Sequence, residues 1–225
     1  MTRRTLDIEL SDGSEQTAEF HVQGESPRDP SLLRVQHAEV TVEIQSDAVQ
    51  FFDAFSRFAQ YDRWAPAVQG STHWLTIRDD GPGSKFIAYD KPGETHLVHY
   101  GEVIQLDRPS RFEWRAPFSE WQRADVGTVL KCTETDKGAR VTETLYFDVA
   151  EAHLPVLAGF TATKGLDRDR ITSFLTQRLR GLDALLQEGE IPAEDRSFLF
   201  TEDRDVAADW AGRISDGEWV RVLYA

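Results

Sequence analysis

A single cysteine, Cys132, in 225 residues leaves no pair to close an internal disulfide. A lone thiol fits a reducing compartment. No apolar run approaches the roughly 18–20 residues of a membrane-spanning helix. No charged-then-apolar leader opens the chain, because Met1-Thr2-Arg3-Arg4 gives way at once to polar alternation. Positive charge is scarce: 25 Lys and Arg stand against 39 Asp and Glu, a net charge of −14. Such a surface repels phosphate backbones and anionic lipid. The expectation is a soluble cytoplasmic protein with no nucleic-acid partner and no membrane insertion. The acidity itself serves solubility or answers a salty cell interior, and both readings stand.

Catalytic signatures are missing too. The six histidines (His21, His37, His73, His96, His99 and His153) are scattered, with no H-x-x-x-H or C-x-x-C spacing. His96 and His99 are three apart, which on a strand sends them to opposite faces. No metal is expected. Neither a Gly-x-Ser-x-Gly elbow nor a phosphate-cradling glycine loop is present. Gly81-Pro82-Gly83 lies between strand candidates and reads as a turn. Cys132 lies within a strand candidate and reads as a buried structural thiol. No cofactor is implied.

What is present is an order of elements. Thr5–Leu10 and Thr17–Val22 alternate apolar and polar around Ser11-Asp12-Gly13-Ser14, a β-hairpin signal. Residues 23–31 carry Gly24, Pro27 and Pro30 and read as a linker. His37–Ile44 reads as a half-buried strand. Ser46 is a plausible N-cap for a Phe-rich helix over Asp47–Gln60, stopped by Pro66. Strand candidates follow at Thr72–Arg78, Lys85–Tyr89, His96–Leu106, Arg111–Ala116, Val126–Thr133 and Arg140–Val149. Their close spacing favours an antiparallel meander. Residues 153–164 read as a loop or broken turn. A long amphipathic helix then spans about Leu166–Gln187, with Ile171, Phe174, Leu175, Leu179, Leu182, Leu185 and Leu186 on one stripe. This divides the chain into an N-terminal extension (1–36), a main domain (37–188) and an acidic C-terminal extension (189–225) with a strand-like run at Trp219–Tyr224.

Several local patterns in the main domain resemble the START-like (SRPBCC) superfamily, which includes Bet v 1-like proteins, polyketide cyclases and Aha1-like domains. They are the strand-to-helix passage Val40 to Phe55, the turn Tyr61-Asp62-Arg63-Trp64-Ala65-Pro66, and the tight turn Gly81-Pro82-Gly83-Ser84. The passage Gly101-Glu102-Val103 through Asp107-Arg108-Pro109-Ser110 to Trp114, and the strand Gly138-Ala139-Arg140-Val141-Thr142-Glu143-Thr144, complete the set. The resemblance implies an α+β helix-grip fold, a curved antiparallel sheet around the long C-terminal helix with an internal cavity. It says nothing of residues 1–36 or 190–225.

A cavity wall of aromatic residues suits a flat or lipid-like ligand. The candidate ligand-binding residues are Trp64, Trp74, Tyr100, Trp114, Phe118, Trp121, Glu143 and Phe174, with the Pro117–Arg123 loop at the mouth. Core packing is the competing reading for Trp64 and Trp114. Candidates for acid–base work are Glu143, Glu102, His99 and Tyr100, beside Tyr146 and Arg115. If Val141, Leu145 and Phe147 face inward, so does Glu143; if Thr142, Thr144 and Tyr146 do, Glu143 is solvated. Three functions compete. The first is a binder of a small hydrophobic ligand. The second is a cofactor-independent polyketide cyclase or dehydratase. The third is an Aha1-like co-chaperone or interaction module with a collapsed pocket. The hairpin or the 219–224 run is expected to extend the sheet or to pair between subunits, which makes a homodimer possible.

Overall fold

The computed structural model describes residues 1–9, 13–57, 64, 71–74, 81–90, 97–117, 124–163 and 168–188. The strands are Thr2–Glu9 (β1), Glu15–Glu25 (β2), Leu33–Ile44 (β3), Ser71–Trp74 (β4), Lys85–Asp90 (β5), Leu97–Asp107 (β6), Arg111–Pro117 (β7), Ala124–Thr135 (β8) and Gly138–Val149 (β9). The helices are Ala48–Ser56 (α1), Leu154–Thr163 (α2) and Arg168–Gln187 (α3). The strands form one antiparallel sheet in the order β1-β2-β3-β9-β8-β7-β6-β5-β4. From β4 to β9 each strand pairs with its neighbour in sequence, so short turns suffice. β3 closes against β9, and the N-terminal hairpin extends the sheet beyond β3.

α3 runs along β3. Its buried stripe is Ile171, Leu175, Leu179, Leu182, Leu185 and Leu186. Its far end is pinned where β3 passes into α1: the Ser46 backbone N–H and hydroxyl both donate to Asp183 Oδ1, at 2.9 and 2.6 Å. The cap of α1 is therefore not Ser46 but Asp47, whose carboxylate accepts from the Val49 and Gln50 N–H groups at 2.9 and 3.0 Å. Ser46 is already engaged with α3. Gly181 lets α3 approach the Trp64 backbone, since a Cβ there would stand 2.4 Å from the Trp64 carbonyl oxygen.

Two further expectations are corrected. Residues 154–163 form a helix rather than a loop. Pro155 falls in the first turn of α2, where its missing N–H costs nothing. The expected linker begins inside a strand, because β2 continues to Glu25. Gly24, at φ 144°, takes up the register shift between Val22 and Gly24 that a side chain would strain. Among the described residues no helix is long and apolar enough to cross a membrane. None of their His, Cys, Asp and Glu side chains gather into a group that could hold a metal ion. The C-terminal extension with its 219–224 run lies outside the described residues.

Candidate ligand-binding site

Directly opposed residues of an antiparallel pair share a face. Glu143 on β9 is flanked by Val40 on β3 and Leu130 on β8. Thr128 on β8 is flanked by Leu145 on β9 and Trp114 on β7. These residues share the helix-facing side of the sheet, because Glu143 meets Arg178 of α3. On the same side Phe112, opposite Leu130, packs edge-on to Phe55 of α1 at 6.3 Å between ring centres. The alternation that the sequence leaves open is thereby fixed. Val141, Glu143, Leu145 and Phe147 turn towards the helices, and Thr144, Tyr146 and Asp148 turn away.

Glu143 is completely buried, 0% exposed. Arg178 Nη2 donates to its Oε1, and Oε2 has no hydrogen-bond partner among the described residues. The Arg178 guanidinium lies over the rings of Phe174 and Phe55, 4.9 and 5.6 Å from their centres. Burial pushes the Glu143 carboxyl above its ordinary value of 4.5, and the charge and hydrogen bond of Arg178 oppose that rise without cancelling it. Thr128 is also fully buried, and its Oγ1 is likewise without a partner. It stands diagonally across from Glu143, about 7 Å away in a regular sheet. Buried polar atoms are nearly always paired. Both oxygens lie on the helix-facing side and have no partner among the described residues.

The aromatic candidates divide. Trp64 is fully buried against Phe55 at 5.6 Å between ring centres, in the cluster that surrounds Arg178. Trp114 is buried edge-on to Phe86 at 5.4 Å, beside Thr128. Phe174 is half-buried beneath Arg178. Trp64, Trp114, Phe174 and Glu143 thus gather on the helix-facing side. Phe118 and Trp121 lie outside the described residues, and of Trp74, His99 and Tyr100 only the strand positions are described. Glu102 does not join Glu143. It shares the opposite face with Arg115, at 3.6 Å, and Arg115 binds Asp125 at 2.6 Å. Tyr146 is on that face too, donating to Glu113 at 2.9 Å. Arg178 and Thr128 escaped the sequence reading. The signal for Arg178 was present, since it falls three residues after Leu175 and four before Leu182, a charge inside an apolar stripe.

The sheet, the grip of α3 and this buried pair are matched by a family model, described as polyketide cyclase / dehydrase and lipid transport, over residues 35–187. The chain belongs to that family. The match takes in the buried pair and leaves the N-terminal hairpin outside. Among solved structures, ginseng (Panax ginseng) major latex-like protein 151 superposes with a TM-score of 0.52 at 14% identity, covering 65% of this chain and 93% of that one. A Rhodobacter sphaeroides protein superposes at 0.51 with 15% identity, covering 76% and 99%. At such identities these likenesses establish the helix-grip fold alone. A comparison with curated proteins finds no match.

Proposed function

We propose that this family member binds a small hydrophobic ligand between the sheet and α3. The ligand, aromatic, polyketide-like or lipid-like, lies with its apolar body against Trp114, Phe174 and the Trp64 cluster. Its polar group meets Glu143, Arg178 and Thr128. The bare Glu143 Oε2, fully buried opposite a helix-borne guanidinium, is the observation that carries this reading. Ionised, that oxygen accepts from a ligand donor such as a hydroxyl or enol; protonated, it donates to a ligand carbonyl. The described residues expose Met1, Val49 and Val156 as large apolar side chains and so offer no extended apolar patch of their own. The test is native mass spectrometry of the purified protein for a co-purified small molecule, followed by affinity measurements on Glu143→Leu and Trp114→Ala. A ligand-free protein that binds no member of a phenol and polyketide panel refutes the reading.

One observation favours a second reading. A carboxyl held above its ordinary value and bare on one oxygen is suited to pass a proton to and from an enolisable substrate. A cofactor-independent cyclase or dehydratase would use Glu143 in that role, with Arg178 holding the developing oxyanion. Glu143→Gln separates the two readings. A binder keeps its affinity within about tenfold, whereas an enzyme binds and no longer turns over.

A further inference from the structure

β2 and β3 pair only between His21↔Gln36 and Glu25↔Leu33. Before His21, β2 pairs with β1 alone; beyond Gln36, β3 pairs with β9 alone. The two strands diverge, and α2 lies behind the gap. The result is a cleft of about 290 Å³. Ile8, Ala18, Phe20, Val35, Leu157 and Ala158 give it an apolar part, polar groups including Gln36, His37 and Thr161 share the lining, and Glu19 lies in the lining beside His21 and Arg168. The volume lies just below the range of small-molecule pockets, about 300–1,000 Å³, and so suits a small ligand. Much of the lining comes from the hairpin, outside the family match, and none from the Glu143–Arg178 site.

These last three residues hold a conflict of donors. His21 Nε2 is 2.7 Å from Glu19 Oε1 and 3.0 Å from Arg168 Nη1. One ring nitrogen either donates or accepts, so it serves only one of these partners at a time. Both contacts involve a charged partner, and the shorter is the one to Glu19. That bond is the leading cause that holds the Glu19 carboxyl below its ordinary value of 4.5. With His21 donating to Glu19, Arg168 faces an N–H across 3.0 Å. Its guanidinium is then better matched by an anion in the cleft.

We infer that this cleft is a second binding site, for a small amphipathic anion: a carboxylate carrying a short alkyl or aryl group. The carboxylate pairs with Arg168, and the apolar group fills the apolar part between the hairpin and α2. The site stands independently of the interior one.

The test is an NMR titration of the full-length protein with octanoate, and with octanol and octylamine as matched neutral and cationic probes. Octanoate is expected to shift the amides of Ala18, Phe20, Val35 and Leu157 and to bind more tightly than either control. Arg168→Gln, at an exposed position, should weaken octanoate by about tenfold or more and leave octanol unchanged. Ala162→Phe, placed on α2 in the lining, should abolish binding of both. The double variant Glu143→Leu/Arg178→Met should bind octanoate as the parent does. Shifts centred on Leu130 and Leu145, equal affinity for octanol, an unaffected Arg168→Gln variant, or no binding would each overturn the assignment.

Discussion

Breaking the Glu143–Arg178 pair from either side should be costly, and removing both members should not be. Glu143 is 0% and Arg178 5% exposed, so neither charge left alone can turn to water. Losing one partner of a buried pair costs about 3–5 kcal/mol, because the survivor stays desolvated and uncompensated. The two single variants should differ. In Glu143→Leu the guanidinium keeps the faces of Phe174 and Phe55, which offset part of the loss, so the cost falls near 3 kcal/mol. In Arg178→Met the carboxyl has no donor left and escapes only by taking up a proton. Its cost falls near 5 kcal/mol at alkaline pH and shrinks as the solution is acidified. Glu143→Leu/Arg178→Met fills the same space with apolar atoms and should fold within about 1 kcal/mol of the parent, or more stably. Urea denaturation of all four proteins at pH 5 and pH 8, run as a double-mutant cycle, measures this. A double variant less stable than either single one would show that the pair is a net stabiliser and refute the argument. If the cycle closes as expected and the double variant has lost the interior ligand, the pair is kept for recognition.

Other outcomes follow from single groups. Burial pushes the Glu113 carboxyl up, but Arg111, Arg34 and the Tyr146 hydroxyl outweigh it and hold it below its ordinary 4.5. Its contribution to stability is therefore present above 4.5 and lost as pH falls through the lower folded value, whereas that of the raised Glu143 is present below 4.5 and lost as pH rises through its folded value. Urea midpoints against pH should lose slope below 4.5 in Glu113→Gln and slope above 4.5 in Glu143→Gln; parallel curves would contradict both shifts. Gly159→Ala, where a Cβ meets nothing within 4 Å, should stabilise α2 by about 0.5–1 kcal/mol, whereas Gly181→Ala drives a Cβ to 2.4 Å from the Trp64 carbonyl and should destabilise by about 1–3 kcal/mol in thermal melts. Burial pushes the Cys132 thiol up to about 12, so a thiol reagent at pH 8 should label it only at the rate of global unfolding; immediate labelling would place it at the surface.

Most of the sheet was legible because its strands are bounded by turn residues and alternate cleanly. The Arg111–Ala116 and Arg140–Val149 candidates fall within one or two residues of β7 and β9. The hairpin was legible for the same reason, and its pairing with β3 extends the sheet, one of the two outcomes expected of it. α2 was not legible, since Pro155 and Gly159 read as breakers although one sits in a first turn and the other is accommodated in a short helix packed against β1. The linker was misread because a bulge glycine and a turn glycine look alike in sequence. At the site, alternation along β9 gave two equal answers. Thr142, Thr144 and Tyr146 form as good a face as Val141, Glu143 and Leu145. Only α3 breaks the tie, and Arg178, its inward charge, comes from the far end of the domain. No local pattern joins residues 143 and 178.

The two faces of β9 show why the inner pair, and not the outer one, is the candidate for recognition. On the outer face Asp148 accepts from Arg34 Nε and Nη2, both at 2.9 Å, and from the Ser26 hydroxyl at 2.8 Å. Glu113 accepts from Arg34 at 3.0 Å, Tyr146 at 2.9 Å and Arg111 at 2.6 Å. Arg34 also lies 3.8 Å above the Tyr146 ring. Every carboxylate oxygen there has a donor, and the partners join β3, β7, β9 and the segment after β2 into one unit. Such a closed network fixes register and has nothing left to offer a ligand. The inner carboxylate, equally buried, receives a single donor among the described residues, and its Oε2 has none there. A fold that satisfies six donors on one side of a strand has no difficulty in supplying them. The shortfall at Glu143, five residues before Asp148 and on the other side of the sheet, is a local property of the helix-facing side. Tyr146→Phe should therefore lower stability by about 1 kcal/mol, the worth of one buried hydrogen bond, without changing affinity for the interior ligand. Thr128→Val, which removes a hydroxyl with no partner among the described residues, should leave stability unchanged or raised and weaken that ligand. Calorimetry and a binding titration on the two variants decide it: if Tyr146→Phe weakens the ligand and Thr128→Val does not, recognition belongs to the outer face and the site has been placed on the wrong side of the sheet.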